Sequence, residues 1–234
     1  MKAAHRAYEA VRNDIIEGHY APGARITESV IAESAQVSRT PVREALHRLE
    51  AEGLIRFVPN QGAFVSSFGM EEAEETFELR AMLESYAVRL CAERASASQL
   101  ASLRALAEEQ LAVSHKRGGG FLKRVSDLNA QFHDALLSAC NSELLRASMG
   151  TLANAPLVFQ TFRDYSGDEL VRSAQHHLEI VIALEAGNAD WASSVMRAHI
   201  FAARSVFRHV HGAQETQARP ATSQTTKRSN SADD

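Results

Sequence analysis

Three of the ten histidines in this 234-residue chain fall on apolar stripes with helical spacing. His133 stands four residues after Asn129, so the two share one helix face, together with Phe132, Leu136 and Leu137. His177 lies on the stripe Ala174, Leu178, Val181 and Ile182, and His199 on Trp191, Val195, Ala202 and Val206. Three helices therefore turn an imidazole towards one interior. Neutral imidazole is a ligand for Zn, Ni, Fe or Mn-type ions, so these faces could converge on a divalent metal. They could equally be three separate core histidines, each satisfied by a neighbour, and spacing leaves both readings open. His176, next to His177, is expected to point to the surface. Asp127, six residues before His133, is expected on another face.

A second group of residues suits nucleic acid. In Val37-Ser38-Arg39-Thr40-Pro41-Val42-Arg43-Glu44-Ala45-Leu46, the apolar stripe is Val42, Ala45, Leu46 and, beyond it, Leu49. Ser38, Arg39, Thr40 and Arg43 lie off that stripe, at or near the N-terminal end. Thr40 is the expected N-cap and Pro41 the expected first helical residue, because a residue before proline avoids α geometry. Glu52 ends the helix and Gly53 supplies its left-handed stop. Helix-turn-helix proteins present this end of the second helix to base edges. Arginine is the usual bidentate partner of guanine, and Ser or Thr suits phosphates and base edges.

The elements around this helix complete a small domain. Residues 4–17 read as a first helix closed by Gly18, and Thr27 caps a short second one carrying Val30, Ile31 and Ala35. Two extended runs, 54–58 and 63–65, flank the turn Pro59-Asn60-Gln61-Gly62. Three helices and a hairpin make a winged helix-turn-helix over residues 1–67. The hairpin tip, Asn60 to Gly62, could rest on a phosphate, because glycine lets a backbone come close. Charge alone does not point to DNA: the whole chain carries −4, and residues 1–67 hold eight Lys/Arg against eight acids. Affinity must come from local placement of charge.

From Met70 the periodicity is wholly helical. Helices are expected over 70–94, 98–115, 121–139, 143–152, 156–164, 168–186 and 190–210. Phe68-Gly69 is the joint before them, and Lys116-Arg117-Gly118-Gly119-Gly120 is a loop between the second and third. Residues 68–211 thus form an antiparallel all-helical bundle, and the fold class is mainly α. Trp191, Phe159 and Phe162 are expected in the core rather than in a pocket. Residues 212–234, rich in Ser, Thr, Gln and Ala, are expected to be a disordered tail. Cys91 and Cys140 sit in apolar helical patterns and read as buried reduced thiols. No run of about 18 apolar residues exists and the N-terminus has no apolar signal core, so a cytoplasmic protein with no membrane partner is expected.

Residues 8–66 resemble the DNA-binding domain of the GntR family of bacterial transcription regulators. The resemblance rests on Ile16-x-Gly18-x-Tyr20-x-Pro22-Gly23-x-Arg25-Ile26, on the Val37–Leu46 stretch, on Leu49-x-x-Glu52-Gly53-Leu54-Ile55 and on Gly62-Ala63-Phe64-Val65. It implies DNA contacts from Arg39 and Arg43, with help from Ser38 and Thr40, and a wing contact at Gly62. Some members carry a further arginine early in the second helix, where this chain has Ser29. Residues 70–210 resemble the effector-binding domain of the FadR subfamily, the FCD domain, through Asn129-x-x-Phe132-His133-x-x-Leu136, Asn141-x-x-Leu144-Leu145, His177 and His199. That resemblance implies a divalent metal (Zn, Ni, Mn or Fe) held by an acidic residue and three histidines. The histidines carry over as His133, His177 and His199; the acid position holds Asn129, whose carbonyl can coordinate but carries no charge. A small carboxylate effector is implied beside the metal. Arg80, in Arg80-x-x-Leu83-Glu84, matches the family arginine that would pair with it; the alternative is an ion pair with Glu84 one turn on.

The expected protein is a sequence-specific transcription regulator, a repressor, acting as a homodimer on a double-stranded DNA operator and modulated by a small organic acid at a metal-containing pocket. It is not expected to be an enzyme. Two alternatives stand beside this reading: a regulator for which the metal itself is the signal, and a hydrolase using the three-His ion to activate water. No general base is evident beside the histidines to support the hydrolase.

Overall fold

In the computed structural model, which describes residues 2–67, 69–116, 120–152 and 155–218, the chain forms a head with a small sheet and a helical body. The head holds helices α1 (Ala3–Ile16), α2 (Glu28–Ser34) and α3 (Arg39–Ala51), with strands β1 (Arg25–Ile26), β2 (Ile55–Val58) and β3 (Gly62–Val65). The sheet order is β1-β3-β2, antiparallel throughout. Its inner face delivers Ile26, Ile55, Ala63 and Val65 to a core shared with Ala7, Val11, Ile31, Leu46 and Leu49. Alternation along β3 buries Ala63 and Val65 and leaves Phe64 on the outer face.

Three details of the head differ from the sequence reading. Helix α3 begins at Arg39 with Ser38 as its N-cap, so Thr40 is helical rather than capping. Proline is still tolerated, because the first four N–H groups of a helix have no partner within it and Pro41 falls among them. Strand β1 was not foreseen; two residues are too short for an alternation to register. Val30, expected to face inward on α2, is exposed. Glu52 and Gly53 close α3 as expected, with Gly53 at φ +74°.

The body is made of α4 (Met70–Arg94), α5 (Ala97–Lys116), α6 (Phe121–Ala139), α7 (Glu143–Leu152), α8 (Ala155–Asp164), α9 (Gly167–Glu185) and α10 (Ala189–Ala218). Its main core includes Phe77, Val88, Leu103, Phe132, Leu136, Val181, Ile200 and Phe207. Helix α9 starts from a reciprocal cap, with the Ser166 hydroxyl accepting from the Glu169 amide and the Glu169 carboxylate accepting from the Ser166 amide. Cys91 and Cys140 are buried and free, as expected, and burial pushes the Cys91 thiol up to about 12. Among the described residues no helix is long and apolar enough to cross a membrane.

Helix α10 runs to Ala218, past its expected end at Val210 and into the stretch read as a tail; residues 219–234 lie outside the described residues, as do Phe68 of the joint and residues 117–119 of the loop. Trp191, expected in the core, is exposed at 38%, its indole N–H donating to Glu179 at 2.9 Å. It stands in the first turn of α10, at the edge of the packing with α9. Ile182, read as part of the apolar stripe of His177, is exposed as well.

Head and body touch through charge. Arg12 on α1 donates to Asp127 on α6 at 2.8 Å, and Lys123 bridges Asp127 at 2.9 Å and Glu9 at 3.8 Å. Burial raises the Asp127 carboxyl, but the bonds from Lys123 and Arg12 outweigh it and hold it below the usual carboxylate range. Leu46 is fully buried in the head core. Leu46→Ala is expected to destabilise the head by about 2–5 kcal/mol, read as an earlier denaturation of the N-terminal domain; a loss under 1 kcal/mol would mean that this core is not packed as described.

Candidate metal and DNA-contact sites

The bundle packs α5 against α6 and α9, and α10 against α4 and α9, and this brings the three histidines together. One nitrogen from each of His133 (α6), His177 (α9) and His199 (α10) lies within 4.8 Å of the others. Nε2 of His177 is 3.3 Å from Nε2 of His199. The ring of Phe132 stacks on that of His177, with centroids 4.1 Å apart and planes 12° apart, which fixes the plane of the imidazole. His177 and His199 are buried, and burial, reinforced by the neighbouring histidines, drives both well below the ordinary histidine pKa. They are neutral imidazoles at neutral pH, the form that binds a metal.

These residues fit a divalent ion. Both ring nitrogens of His133 and Nδ1 of His199 are buried without a hydrogen-bond partner. A buried polar atom left unpaired costs about 1–3 kcal/mol, and an ion between the rings would satisfy the nitrogens that face it. Asn129, also buried, lies one turn before His133 and lines the same cavity of about 170 Å³. That cavity is bordered by Arg80 and Glu84 at one end and by Leu137, Met149 and Val158 on its apolar wall. Phe162, expected in the core, is buried but also borders a smaller adjoining cavity; the side chain of Phe159 lies outside the described residues.

Arg80 and Glu84 form a buried pair, Nε to Oε1 at 2.8 Å, their side chains 8% and 2% exposed. The Glu84 contact that the sequence offered for Arg80 is made. The other carboxylate oxygen of Glu84 approaches Nδ1 of His133 to 2.5 Å, off the axis of a ring N–H bond. Burial raises the Glu84 carboxyl, yet Arg80 and His133 outweigh it and hold it below the usual carboxylate range.

Two buried groups of this site escaped the sequence reading. Glu84 was weighed only as a partner of Arg80, not of His133. Gln110, on α5, is fully buried and lies 2.6 Å from Nδ1 of His177. A polar residue in line with Leu103, Ala107 and Ser114 on one face of α5 was the signal available for it. His176, expected at the surface, is half-buried, its ring 5.9 Å from that of His199. Asp127 points away from the cluster as expected, towards the head.

On the head, Ser38, Arg39, Thr40 and Arg43 are all exposed at the start of α3. Arg43 Nε donates to both carboxylate oxygens of Glu28 on α2, at 3.0 and 3.1 Å. The pair is solvent-exposed, so it is worth under about 1 kcal/mol and leaves Arg43 able to turn to another acceptor. Gly62 is exposed at φ +99°, a backbone that a side chain would strain. Arg56, Phe64 and Arg25 form one cross-strand row on the outer face of the sheet. The Arg25 guanidinium passes 3.8 Å from the point where a Gly62 Cβ would stand. Neither Arg25 nor Arg56 was singled out from sequence, since the row exists only once β1 joins the sheet.

Comparison with known proteins agrees with this architecture. A model described as "Bacterial regulatory proteins, gntR family" matches residues 3–65, and one described as "FCD domain" matches residues 75–202. The "Nta operon transcriptional regulator" of Aminobacter aminovorans is 34% identical over 182 residues, covering 78% of this chain and 83% of that protein. The "HTH-type transcriptional repressor RspR" of Escherichia coli (strain K12) is 27% identical over 197 residues, with 82% and 83% covered. Among solved structures, E. coli McbR/YncC shares the fold at a TM-score of 0.65 and 23% identity, covering 94% of this chain and all of that one. A GntR chain from Rhodococcus sp. RHA1 aligns at 0.63 and 27% identity, with 93% and 99% covered.

Removing one member of the buried Arg80–Glu84 pair strands the other. Arg80→Ala is expected to cost about 3–5 kcal/mol, and Arg80→Met with Glu84→Leu to recover most of it; equal stability of Arg80→Ala and the parent protein in denaturant titration would show the pair to be solvated. With a winged helix-turn-helix ahead of an all-helical domain, and with both family models matched in that order, the chain belongs to the GntR family of bacterial regulatory proteins and carries an FCD domain: it is a DNA-binding transcriptional regulator.

Proposed function

We propose that the chain is a ligand-responsive repressor that binds its operator as a homodimer and is modulated by a small organic acid at a metal-containing pocket. The observation that carries this reading is the cluster of His133, His177 and His199, with His133 lining a cavity that Arg80 and Asn129 also border. The ion, when bound, supplies a positive centre with open positions for a carboxylate. His133, His177 and His199 hold it, and the Asn129 carbonyl is a fourth, uncharged donor. Arg80 spends its Nε–H on Glu84, but a guanidinium carries five donors, and this one borders the cavity. Ala130, Leu137, Met149 and Val158 give the cavity an apolar wall, while Ser126 and Asp134 also border it.

On the DNA side, Arg39 and Arg43 reach base edges, Ser38 and Thr40 contact phosphates or edges, and Gly62 brings the wing backbone close to the duplex. Arg43 exchanges Glu28 for a base. Arg25 and Arg56, two of the eight cations that balance the eight acids of the head, place positive charge on the outer face of its sheet. A two-fold dimer would place two α3 helices in successive major grooves of a near-palindromic site. The ligand alters operator affinity only by binding one arrangement of head and body better than another. The ion pair of Arg12 with Asp127, two residues before Asn129, supports α6 as a part of that linkage.

A second reading has its own support. Arg80 is already tied to Glu84, so the ion alone could be the signal. Operator binding measured with chelator, with added metal, and with metal plus organic acids separates the two. Response to an acid only in the presence of metal supports the first reading, and a full response to metal alone supports the second. Arg43→Ala is expected to weaken specific operator binding by about 1–3 kcal/mol in a mobility-shift titration; unchanged sequence-specific binding would remove this residue from base recognition.

A further inference from the structure

We infer that Gln110 is a positioning residue that holds His177 in its Nδ1–H tautomer and thereby aims the bare Nε2 lone pair into the three-histidine cluster. The inference rests on the metal reading above for its consequence, but not for its geometry. The two ends of the Gln110 side-chain amide have the same shape, so its orientation follows from its partners. One end lies 3.4 Å from the backbone carbonyl of Val125. A carbonyl only accepts, so that end is the amide NH2, and Oε1 is the end that faces His177, at 2.6 Å. An amide oxygen also only accepts. Nδ1 of His177 must therefore carry the hydrogen, and in a neutral ring Nε2 is then the unprotonated atom.

That atom points into the cluster, 3.3 Å from Nε2 of His199. Gln110 is fully buried, so no water competes for the ring, and the stacked Phe132 keeps the imidazole from turning out of line. The chain Val125 carbonyl, Gln110 amide, His177 ring therefore passes one fixed proton arrangement from α6 through α5 to α9. In the metal-free chain that lone pair accepts from Nε2–H of His199, so His199 takes the opposite tautomer, with Nδ1 buried and unpartnered, and its Nε2 must lose that hydrogen before it can ligate an ion. His133 has Glu84 close by but off the N–H axis. His177 is the pre-set ligand, and the others adjust to it. Partners beyond a ligating histidine commonly change metal affinity by about 10–100-fold.

The test uses the full-length protein and three forms: the parent, Gln110→Met, which keeps the length without an acceptor, and Gln110→Glu, which restores one. Ring 15N–1H correlation spectra of the metal-free proteins are expected to show His177 as Nδ1–H in the parent and in Gln110→Glu. Gln110→Met is expected to show the Nε2–H form or a mixture. Zinc affinity by chelator competition is expected to fall about 10–100-fold in Gln110→Met and to return to near the parent value in Gln110→Glu. A parent ring protonated on Nε2, or a Gln110→Met protein with native circular dichroism and parental ring tautomer, would overturn the inference. If the parent takes up no zinc, nickel, manganese or iron, the metal reading fails instead, and the ring spectra still decide the tautomer.

Discussion

An imidazole inside an apolar bundle must find something to bond for its nitrogens and, unless a carboxylate pairs with it, must be neutral. The body of this regulator must meet that condition three times within one small volume. Burying His177 and His199 forbids their charged forms, and the neutral form leaves each ring with one donor and one acceptor to satisfy. Gln110 takes one of these and His199 another. One nitrogen of each ring lies within 4.8 Å of the others, and an ion among them would turn an energetic liability into a binding site. The buried Arg80–Glu84 pair beside it obeys the same constraint. Such a pair adds little net stability over an apolar replacement, while losing one member is costly. Its retention makes sense as chemistry at the cavity rather than as support for the fold.

The same helices carry that constraint towards the head. Helix α6 presents Asn129 and His133 to the cavity and, one turn earlier, Lys123 and Asp127 to α1. Helix α8 borders the cavity through Val158, while Arg163 near its end lies against Gly18 at the close of α1. Ion pairs between partly exposed groups are individually weak, and a junction built from them can re-form in a second arrangement without breaking an apolar core. A junction cemented by large apolar side chains would resist that. The head itself is stiff, with the inner face of its sheet packed on α1 and α3, so a change at the junction would move it as a unit.

How much of this was readable from residues differs between the two halves. The recognition helix was legible because local signals agree there: an apolar stripe at 3.6-residue spacing, a proline in the first turn and a glycine after the last. Its start was misplaced by two residues, at Thr40 instead of Ser38, since proline constrains the neighbourhood of a helix start more than the start itself. The three histidines were legible as inward-facing for the same reason, each lying on an apolar stripe of its own helix. The pairings that give those residues their chemistry were not legible. Arg43 with Glu28, His177 with Gln110, His133 with Glu84 and Arg12 with Asp127 each join different elements, and none has a sequence interval that marks it. Trp191 and His176 failed in opposite directions. The helical stripe of each describes its own helix but not whether another helix arrives to cover it.

From its residues alone the chain determined its elements, their order and the faces they bury, because backbone hydrogen bonding and side-chain periodicity act over one or two turns. The resemblance to a known family was legible at the same level, in short motifs at fixed spacing. Tertiary structure alone decided which nitrogen of His177 faces the cluster, which acid approaches which base, and that Arg25 and Arg56 share one face of the sheet. Those outcomes depend on distances of about 3 Å between helices or strands far apart in the chain, and only the packing of α4, α5, α6, α9 and α10 around a common core sets such distances.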